Sequence, residues 1–339
     1  MPALRFVVAT LFCSAALAGC APSVLNAPGT GPSGDYPLPP ASSRIELQLD
    51  QGQLNPNALL TRTASYGAAG DLRAWVDRAA EAIRLYYGQF PVEHARLLVE
   101  PIHGSGVLWA RTFSNSGFFV RVGIGTTTNA SQLAADWMLT HEFVHLSLPT
   151  LPDEHDWFQE GTATYVEPVA RAQAGQLSPE RVWAAFVHQM PHGLPGPNDH
   201  GLDFTTGWGR TYWGGALFCL TADVEIRKQT DNRYGLREAL RGILNDGGTL
   251  DHRWTIRQAL GAGDHAVGAD VLIPLYERWR AAPVWVDLEA LWLQLGVERD
   301  GRGVRLDDSA PLARIRRAIT ARATLPDTDR EGTLTLTMD

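Results

Sequence analysis

Two short stretches, HEFVH at residues 141–145 and WFQEG at residues 157–161, decide how this chain would fold around a metal ion. On a helix, His141 and His145 lie four residues apart on one face, with about 5–6 Å between their Cβ atoms. Both imidazoles can therefore bind one tetrahedral Zn²⁺ ion. Glu142 points beside this pair, where its carboxylate can accept a proton from a metal-activated water. It is the candidate general base.

The residues before and within the first stretch predict one continuous helix. Residues 131–146 contain neither Gly nor Pro, and Asn129 with Gln132 can form a capping box at the start. Pro149 and Pro152 prevent a simple continuation of that helix, so the chain must turn.

The second stretch supplies the third candidate ligand, Glu160. Asp156 is a suitable N-cap for a second helix, and fourteen residues separate His145 from Glu160, which is enough for a returning loop. Two histidines and one glutamate leave the fourth position to water, as in catalytic zinc sites. The alternatives are a pair of solvated histidines on a surface helix and a structural metal site, for which no fourth protein ligand is apparent.

HEFVH followed by WFQEGTATYVE resembles the gluzincin zinc metallopeptidases, specifically the aminopeptidase N-like and glycyl aminopeptidase-like enzymes with a peptidase MA-like domain. The resemblance implies an α+β, thermolysin-like (zincin) catalytic domain, in which a small mixed β-sheet with helices precedes a mainly α-helical lobe. It implies one Zn²⁺ per chain, Glu160 as a ligand and peptide bonds as substrate. It also implies an oxyanion-stabilising tyrosine, and Tyr212 matches that position, although Gly214 replaces the family's lysine.

Three further residues are candidates for supporting roles. Glu167 lies two helical turns after Glu160 and matches the last glutamate of the family string, so it could accept an N–H from a ligating imidazole. An ordinary solvated carboxylate is an equal alternative. His192 and His200, in the Gly- and Pro-rich loop 191–209, are rivals to the tyrosine as oxyanion stabilisers.

Substrate preference is left open by the residues upstream of the zinc motif. Aminopeptidases of these families carry a glutamate there that binds the substrate's amino group, whereas residues 103–125 contain no acidic residue. The resemblance to gluzincins implies that residues 117–125, the strand before the zinc helix, form the sheet edge that pairs with an extended peptide, with an ordinary edge strand as the alternative. The competing function is a non-catalytic gluzincin-scaffold lipoprotein that binds peptides or envelope proteins.

The first 19 residues are typical of a bacterial lipoprotein signal peptide, with an apolar stretch followed by LAGC ending at Cys20. The apolar stretch is too short for a membrane-spanning helix. Cys20 is expected to be lipidated, and residues 20–42, rich in Pro, Gly, Ser and Ala, to form a flexible tether. This predicts a lipid-anchored protein of the cell envelope, on the periplasmic or cell-surface side, with the outer membrane favoured in a Gram-negative cell.

Composition adds one exclusion. The formal net charge is −8 and Lys228 is the one lysine, so no basic cluster favours nucleic acid. The apolar and turn patterns predict one domain over 43–321, which the resemblance implies is the peptidase domain, with an α/β lobe over 43–150 and a mainly helical lobe over 151–321, followed by a flexible tail over 322–339. They predict strands over 43–50, 95–102 and 117–124, and helices over 71–88, 179–189, 213–229, 236–244, 255–260, 271–281 and 287–295.

Overall fold

A computed structural model describes residues 45–54, 69–115 and 117–323. The predictions for the signal peptide, Cys20 and the tether lie outside these residues, as does most of the predicted tail. Within the described residues, no helix combines the length and apolar character needed to span a membrane.

A five-stranded mixed sheet forms the first part of the described chain. Its spatial order is β2-β1-β3-β5-β4, with β3 and β5 parallel and the other neighbours antiparallel. The strands are β1 (Ile45–Asp50), β2 (Gln53–Leu54), β3 (His94–Ile102), β4 (Val107–Phe113) and β5 (Phe119–Gly125). The three strands predicted from the sequence are confirmed as β1, β3 and β5, within a few residues at each end.

The edge of the sheet differs from the prediction. β5 pairs with β3 on one side and with β4 on the other, so residues 117–125 do not form the expected peptide-binding edge. That prediction is wrong. Among the described residues, β4 is the edge strand on this side of the sheet, and β2 is the edge strand on the other. The side chains of β4 are nearly all half-buried, without the alternation that reveals a strand in a sequence.

The chain after the sheet is mainly helical, as predicted, and ends with a small hairpin and a last helix that the sequence patterns did not predict. The helices are α1 (Ala69–Tyr87), α2 (Ala130–Ala135), α3 (Met138–His145), α4 (Asp156–Gln173), α5 (Pro179–Gln189), α6 (Gly215–Gln229), α7 (Leu236–Asn245), α8 (Ile256–Val267), α9 (Leu272–Trp279), α10 (Leu288–Leu295) and α11 (Ala313–Thr320). The hairpin consists of β6 (Val297–Asp300) and β7 (Gly303–Leu306). The architecture is therefore α+β, a small mixed sheet followed by a helical part.

The single helix predicted over residues 131–146 is divided into α2 and α3. The capping box is confirmed, because the Asn129 side chain accepts the backbone N–H of Gln132 while the Gln132 side chain accepts that of Asn129. The division falls at Asp136, whose backbone is extended with ψ at 144°.

The Asp136 side chain explains this division. Its carboxylate accepts the backbone N–H groups of Met138 (3.1 Å) and Leu139 (3.2 Å), and it also accepts the indole N–H of Trp75 (2.8 Å). These bonds satisfy the free N–H groups at the start of α3 and replace a continuous helical ladder. A pattern of apolar residues does not contain this information.

Helix α4 begins one residue earlier than predicted, because Asp156 was expected to be the N-cap. Asp156 is the first residue of the helix and His155 occupies the N-cap position, without a side-chain capping bond. A 3₁₀ turn over Asp153–His155 leads directly into α4 and takes the place of a side-chain cap. Asp156 therefore lies in the first turn, where a carboxylate interacts favourably with the helix dipole.

One apolar core joins the sheet to the helices. It extends from Leu47 of β1 to Ile319 of α11 without interruption. The predicted division into lobes at residue 150 stays a prediction. The shared core fixes α3 and α4 against each other, since both contribute buried side chains to it.

The closest backbone approach between α4 and α6 occurs at Gly161 and Gly215. A Cβ atom on Gly161 would collide with the backbone of Gly215, and one on Gly215 would collide with the carbonyl of Trp157. Gly161 follows Glu160 directly, so this contact determines how close α6 lies to the candidate metal site.

Gly161→Ala should destabilise the protein by about 1–3 kcal/mol, because the added methyl group must push α4 and α6 apart. Gly261→Ala is the matched control, since Gly261 lies in the interior of α8 with open space around its Cβ position. That change should be neutral or stabilise by up to about 1 kcal/mol. Urea unfolding at a fixed zinc concentration measures both variants. Equal stability of the two would contradict the close packing.

Candidate metal centre

Two helices bring the three predicted ligand side chains together. His141 and His145 lie on α3 and Glu160 lies on α4. The Nε2 atom of His141 is 3.2 Å from Oε2 of Glu160, and the Nε2 atom of His145 is 3.7 Å from the same oxygen. All three donor atoms lie within 4.8 Å of one another, and the three residues are buried.

These separations fit a four-coordinate zinc ion. Tetrahedral ligands about 2.0–2.1 Å from zinc lie roughly 3.3–3.4 Å from each other. The distances from Glu160 to the two imidazoles lie within a few tenths of an ångström of that value. Two imidazole nitrogens and one carboxylate oxygen are also donors that zinc accepts. The three residues could therefore hold the ion and leave one position open.

The charges at the centre favour an ionised carboxylate. Burial raises the pKa of Glu160, but His145 and the hydrogen bond with His141 outweigh this effect and hold the pKa at about 2. Burial lowers the pKa of His145 below its usual value. For His141, burial also disfavours the charged form, but its hydrogen bond with Glu160 leaves the pKa raised. Glu160 is therefore anionic, as a metal ligand must be.

Glu142 lies beside the three donor atoms and is not one of them. Its half-buried side chain accepts a hydrogen bond from the Thr112 hydroxyl, with 2.7 Å between Oγ1 and Oε2. Its negative charge acts on both histidines and on Tyr212. This position agrees with the prediction that Glu142 points beside the ligand pair. Thr112, the hydrogen-bond partner of Glu142, was not among the predicted site residues, because β4 was not predicted.

Tyr212, the tyrosine that the family resemblance suggested, lies beside His141 and Glu160. It belongs to a π-helical turn, Gly209–Gly214, directly before α6. Its ring stacks between the ring of His141, at 6.3 Å and 17°, and the ring of Trp208, at 6.2 Å and 26°. Burial, followed by the charge of Glu160 and a hydrogen bond with it, raises the pKa of the phenol. Tyr212 is therefore a protonated hydrogen-bond donor facing the ligand carboxylate.

Local backbone geometry and a buried ion pair hold this tyrosine in place. A π-helical turn contains an extra residue and is frequent at functional sites. Arg210, in the same turn, donates to Asp199 Oδ2 (2.7 Å) and to the carbonyl of Gly193 (2.7 Å). These bonds attach the loop 191–209 to the π-helical turn, and Trp208 lies at the exposed end of the aromatic stack.

The two rival histidines of that loop are not among the candidate ligands. His192 and His200 are both exposed, and the ring of His192 contacts Trp208 at 6.1 Å. Neither belongs to the group of donor atoms that could hold a metal among the described residues. Tyr212 is the predicted oxyanion residue that the structure brings next to the candidate ligands.

Glu167 is buried and not solvated. Its Oε1 atom accepts a hydrogen bond from Arg171 Nη1 at 2.6 Å, one turn further along α4. Burial raises the pKa of Glu167, and the charges of Arg171 and His141 oppose this effect. The influence of His141 places the carboxylate near the ligand histidine. The predicted hydrogen bond from a ligating imidazole stays a prediction.

The start of α4 is fixed by a residue that the sequence did not single out. Asp203 accepts the indole N–H of Trp157 (3.0 Å) and the hydroxyl of Tyr276 (2.8 Å), and it lies 3.2 Å from Nδ1 of His155. Burial raises the pKa of Asp203, but these hydrogen bonds outweigh it and leave the pKa lowered. The network connects α4 to α9. It fixes the first turn of α4, which lies one helical turn before Glu160.

Comparison with known proteins adds a distant structural similarity. No protein-family model matches the chain, and no curated protein matches it in sequence. Among solved structures, the chain is similar to a two-domain M1 zinc metallopeptidase, crystallised as a Glu-to-Ala mutant bound to L-arginine, with a TM-score of 0.40 and 16% identity. The match covers 66% of this chain and 48% of that enzyme. At this TM-score the similarity does not establish a shared fold, so the functional proposal rests on the geometry of the site.

Proposed function

We propose that this protein is a zinc-dependent peptidase with a thermolysin-like catalytic domain of the gluzincin type. The observation that carries the proposal is the convergence of His141, His145 and Glu160 on one buried point, with the Glu142 carboxylate directly beside it. A structural site would need a fourth protein ligand, and the group of donor atoms contains three.

The side chains divide the chemistry of peptide hydrolysis between them. When bound, zinc supplies a Lewis acid that polarises a carbonyl group and makes water acidic enough to react near neutral pH. Glu142 accepts the proton from the attacking water and can then deliver it to the departing amine. The Tyr212 hydroxyl donates a hydrogen bond to the negative oxygen that develops on the substrate, an interaction typically worth about 3–4 kcal/mol of the barrier.

The edge strand β4 is the proposed binding surface for the peptide. An extended peptide can add to a sheet edge through main-chain hydrogen bonds. β4 pairs with β5 on one side and is the outermost described strand on the other. Its residue Thr112 contacts Glu142, which brings this edge next to the reacting groups. The absence of acidic residues from 103 to 125 favours internal cleavage over recognition of a free amino group.

Glu142→Gln should keep one zinc per chain and lose at least about 100-fold in kcat, because the amide cannot accept the proton. Glu160→Ala, which removes a ligand, should lose the metal as well. Plasma emission measures the zinc, and cleavage of a mixed peptide library with and without chelator measures the activity.

Full hydrolysis by the Glu142→Gln variant would remove Glu142 as the base. A wild-type protein that binds zinc and peptides but cleaves none of the library would instead support the non-catalytic scaffold. Zinc that is bound with four protein ligands and without peptide binding would support a structural site.

Tyr212→Phe should lower kcat by about 100- to 1,000-fold at unchanged zinc content, because the variant lacks one donor to the developing oxyanion. His192→Ala and His200→Ala are the matched controls, and each should stay within about threefold of the wild type. The measurement is kcat on one cleaved peptide from the library. A large loss of kcat in either histidine variant, with a small loss in Tyr212→Phe, would show that the loop histidine stabilises the oxyanion instead of Tyr212.

The envelope location is a second part of the proposal and rests on the sequence around Cys20. Lipidation there would attach the domain to a membrane by the tether of residues 20–42. Cys20→Ser should therefore release the protein from the membrane fraction, because the thiol that carries the lipid is lost. Fractionation and the intact mass of the purified protein check this, and an unmodified Cys20 in membrane-bound wild type would contradict it.

A further inference from the structure

The geometry points to Thr112 as a positioning residue for Glu142, one that holds the general base in its reactive orientation from the peptide-binding strand. This inference rests on the proposed function, in which Glu142 accepts the proton. It adds a residue outside both zinc motifs to the proposed reaction, and it connects substrate binding to the orientation of the base.

The Thr112 hydroxyl contacts two acceptors on the same residue. Its Oγ1 atom is 2.7 Å from Oε2 of Glu142 and 2.9 Å from the main-chain carbonyl oxygen of Glu142. The hydroxyl has one proton to donate, and a carboxylate is a stronger acceptor than a carbonyl group. The proton therefore goes mainly to Oε2, and the carbonyl keeps the hydroxyl close to α3.

This hydrogen bond restricts a side chain that would otherwise rotate. A glutamate has three rotatable bonds, and fixing such a long side chain costs conformational entropy. With Oε2 bound to Thr112, the other oxygen, Oε1, is left to accept the proton of the attacking water. A base misplaced by about 1 Å can lose about 100-fold in rate, so this restriction matters for catalysis.

The donor itself is held rigidly. Thr112 pairs with Val120 of β5 in the sheet, and the ring of its neighbour Phe113 stacks on that of Phe119 at 4.9 Å. A group held by a strand inside a regular ladder is placed more accurately than one on a loop. Thr112 therefore gives Glu142 a fixed reference point on β4.

The location of Thr112 on β4 has a second effect. A peptide that adds to the edge of β4 is positioned relative to the same backbone that carries the hydroxyl. The scissile carbonyl and the carboxylate of Glu142 are then aligned through a single strand. The peptide and the Glu142 carboxylate are therefore both positioned by β4.

Two substitutions separate this role from a structural one. Thr112→Val keeps the shape of the side chain and its preference for a strand but removes the donor. Thr112→Ser keeps the donor. Thr112→Val should lower kcat by about 10- to 100-fold while KM changes less than twofold and the zinc content stays at one per chain. Thr112→Ser should recover kcat to within about threefold of the wild type, and thermal melting shows whether both variants fold.

A crystallographic comparison tests the same claim without requiring activity. The Glu142 carboxylate should occupy one position in the wild type and in Thr112→Ser, and several positions in Thr112→Val. One unchanged position in all three proteins would overturn the inference, as would unchanged kcat in Thr112→Val or equal losses in the two variants. If the wild type cleaved no peptide, the proposed function would fail, but the crystallographic comparison would still decide whether Thr112 orients Glu142.

Discussion

The structure depends on one unfavourable placement, a carboxylate buried between two imidazoles. Glu160 is 2% exposed, and removing an isolated anion from water costs several kcal/mol. The two histidine side chains and the Tyr212 hydroxyl compensate for this cost and keep the group ionised. The helices α3 and α4 and the turn that carries Tyr212 must therefore pack closely enough for these side chains to reach Glu160. The glycine contact between α4 and α6 and the Asp203 network both serve this requirement, because they determine where α4 begins and what lies beside it.

The sequence predicted the centre better than it predicted the sheet around it. The spacing of His141 and His145 and the distance to Glu160 are local features of two helices, and helical geometry converts them directly into a shared position. The position of Tyr212 came from the resemblance to a family and agrees with the structure. What the sequence could not provide was pairing between distant segments. The strand order that puts β5 inside the sheet and β4 at its edge is set by the packing of all five strands, and no window of residues contains it.

The errors in the helices have a similar origin. Asp136 interrupts a stretch that has every local feature of one helix, because its carboxylate binds the N–H groups of the next turn and an indole from α1. Hydrogen bonds from a side chain to the backbone compete with the hydrogen bonds of the helix. The Asp136 carboxylate is held in place for them by Trp75, which lies 61 residues away in the sequence. Thr112 was missed for the same reason. Its importance comes from a contact with Glu142 across 30 residues, and a threonine in an unrecognised strand has no feature that would single it out.

The interruption at Asp136 also affects the order in which the protein acquires its metal. It leaves both histidines on α3, which is only eight residues long, whereas isolated helices in water need about 12–15 residues for even marginal stability. The helical placement of the two imidazoles therefore depends on the surrounding chain, and an unfolded polypeptide does not hold the pair in position for an ion. If the chain crosses a membrane unfolded, zinc capture follows translocation and draws on the metal supply of the compartment outside the membrane.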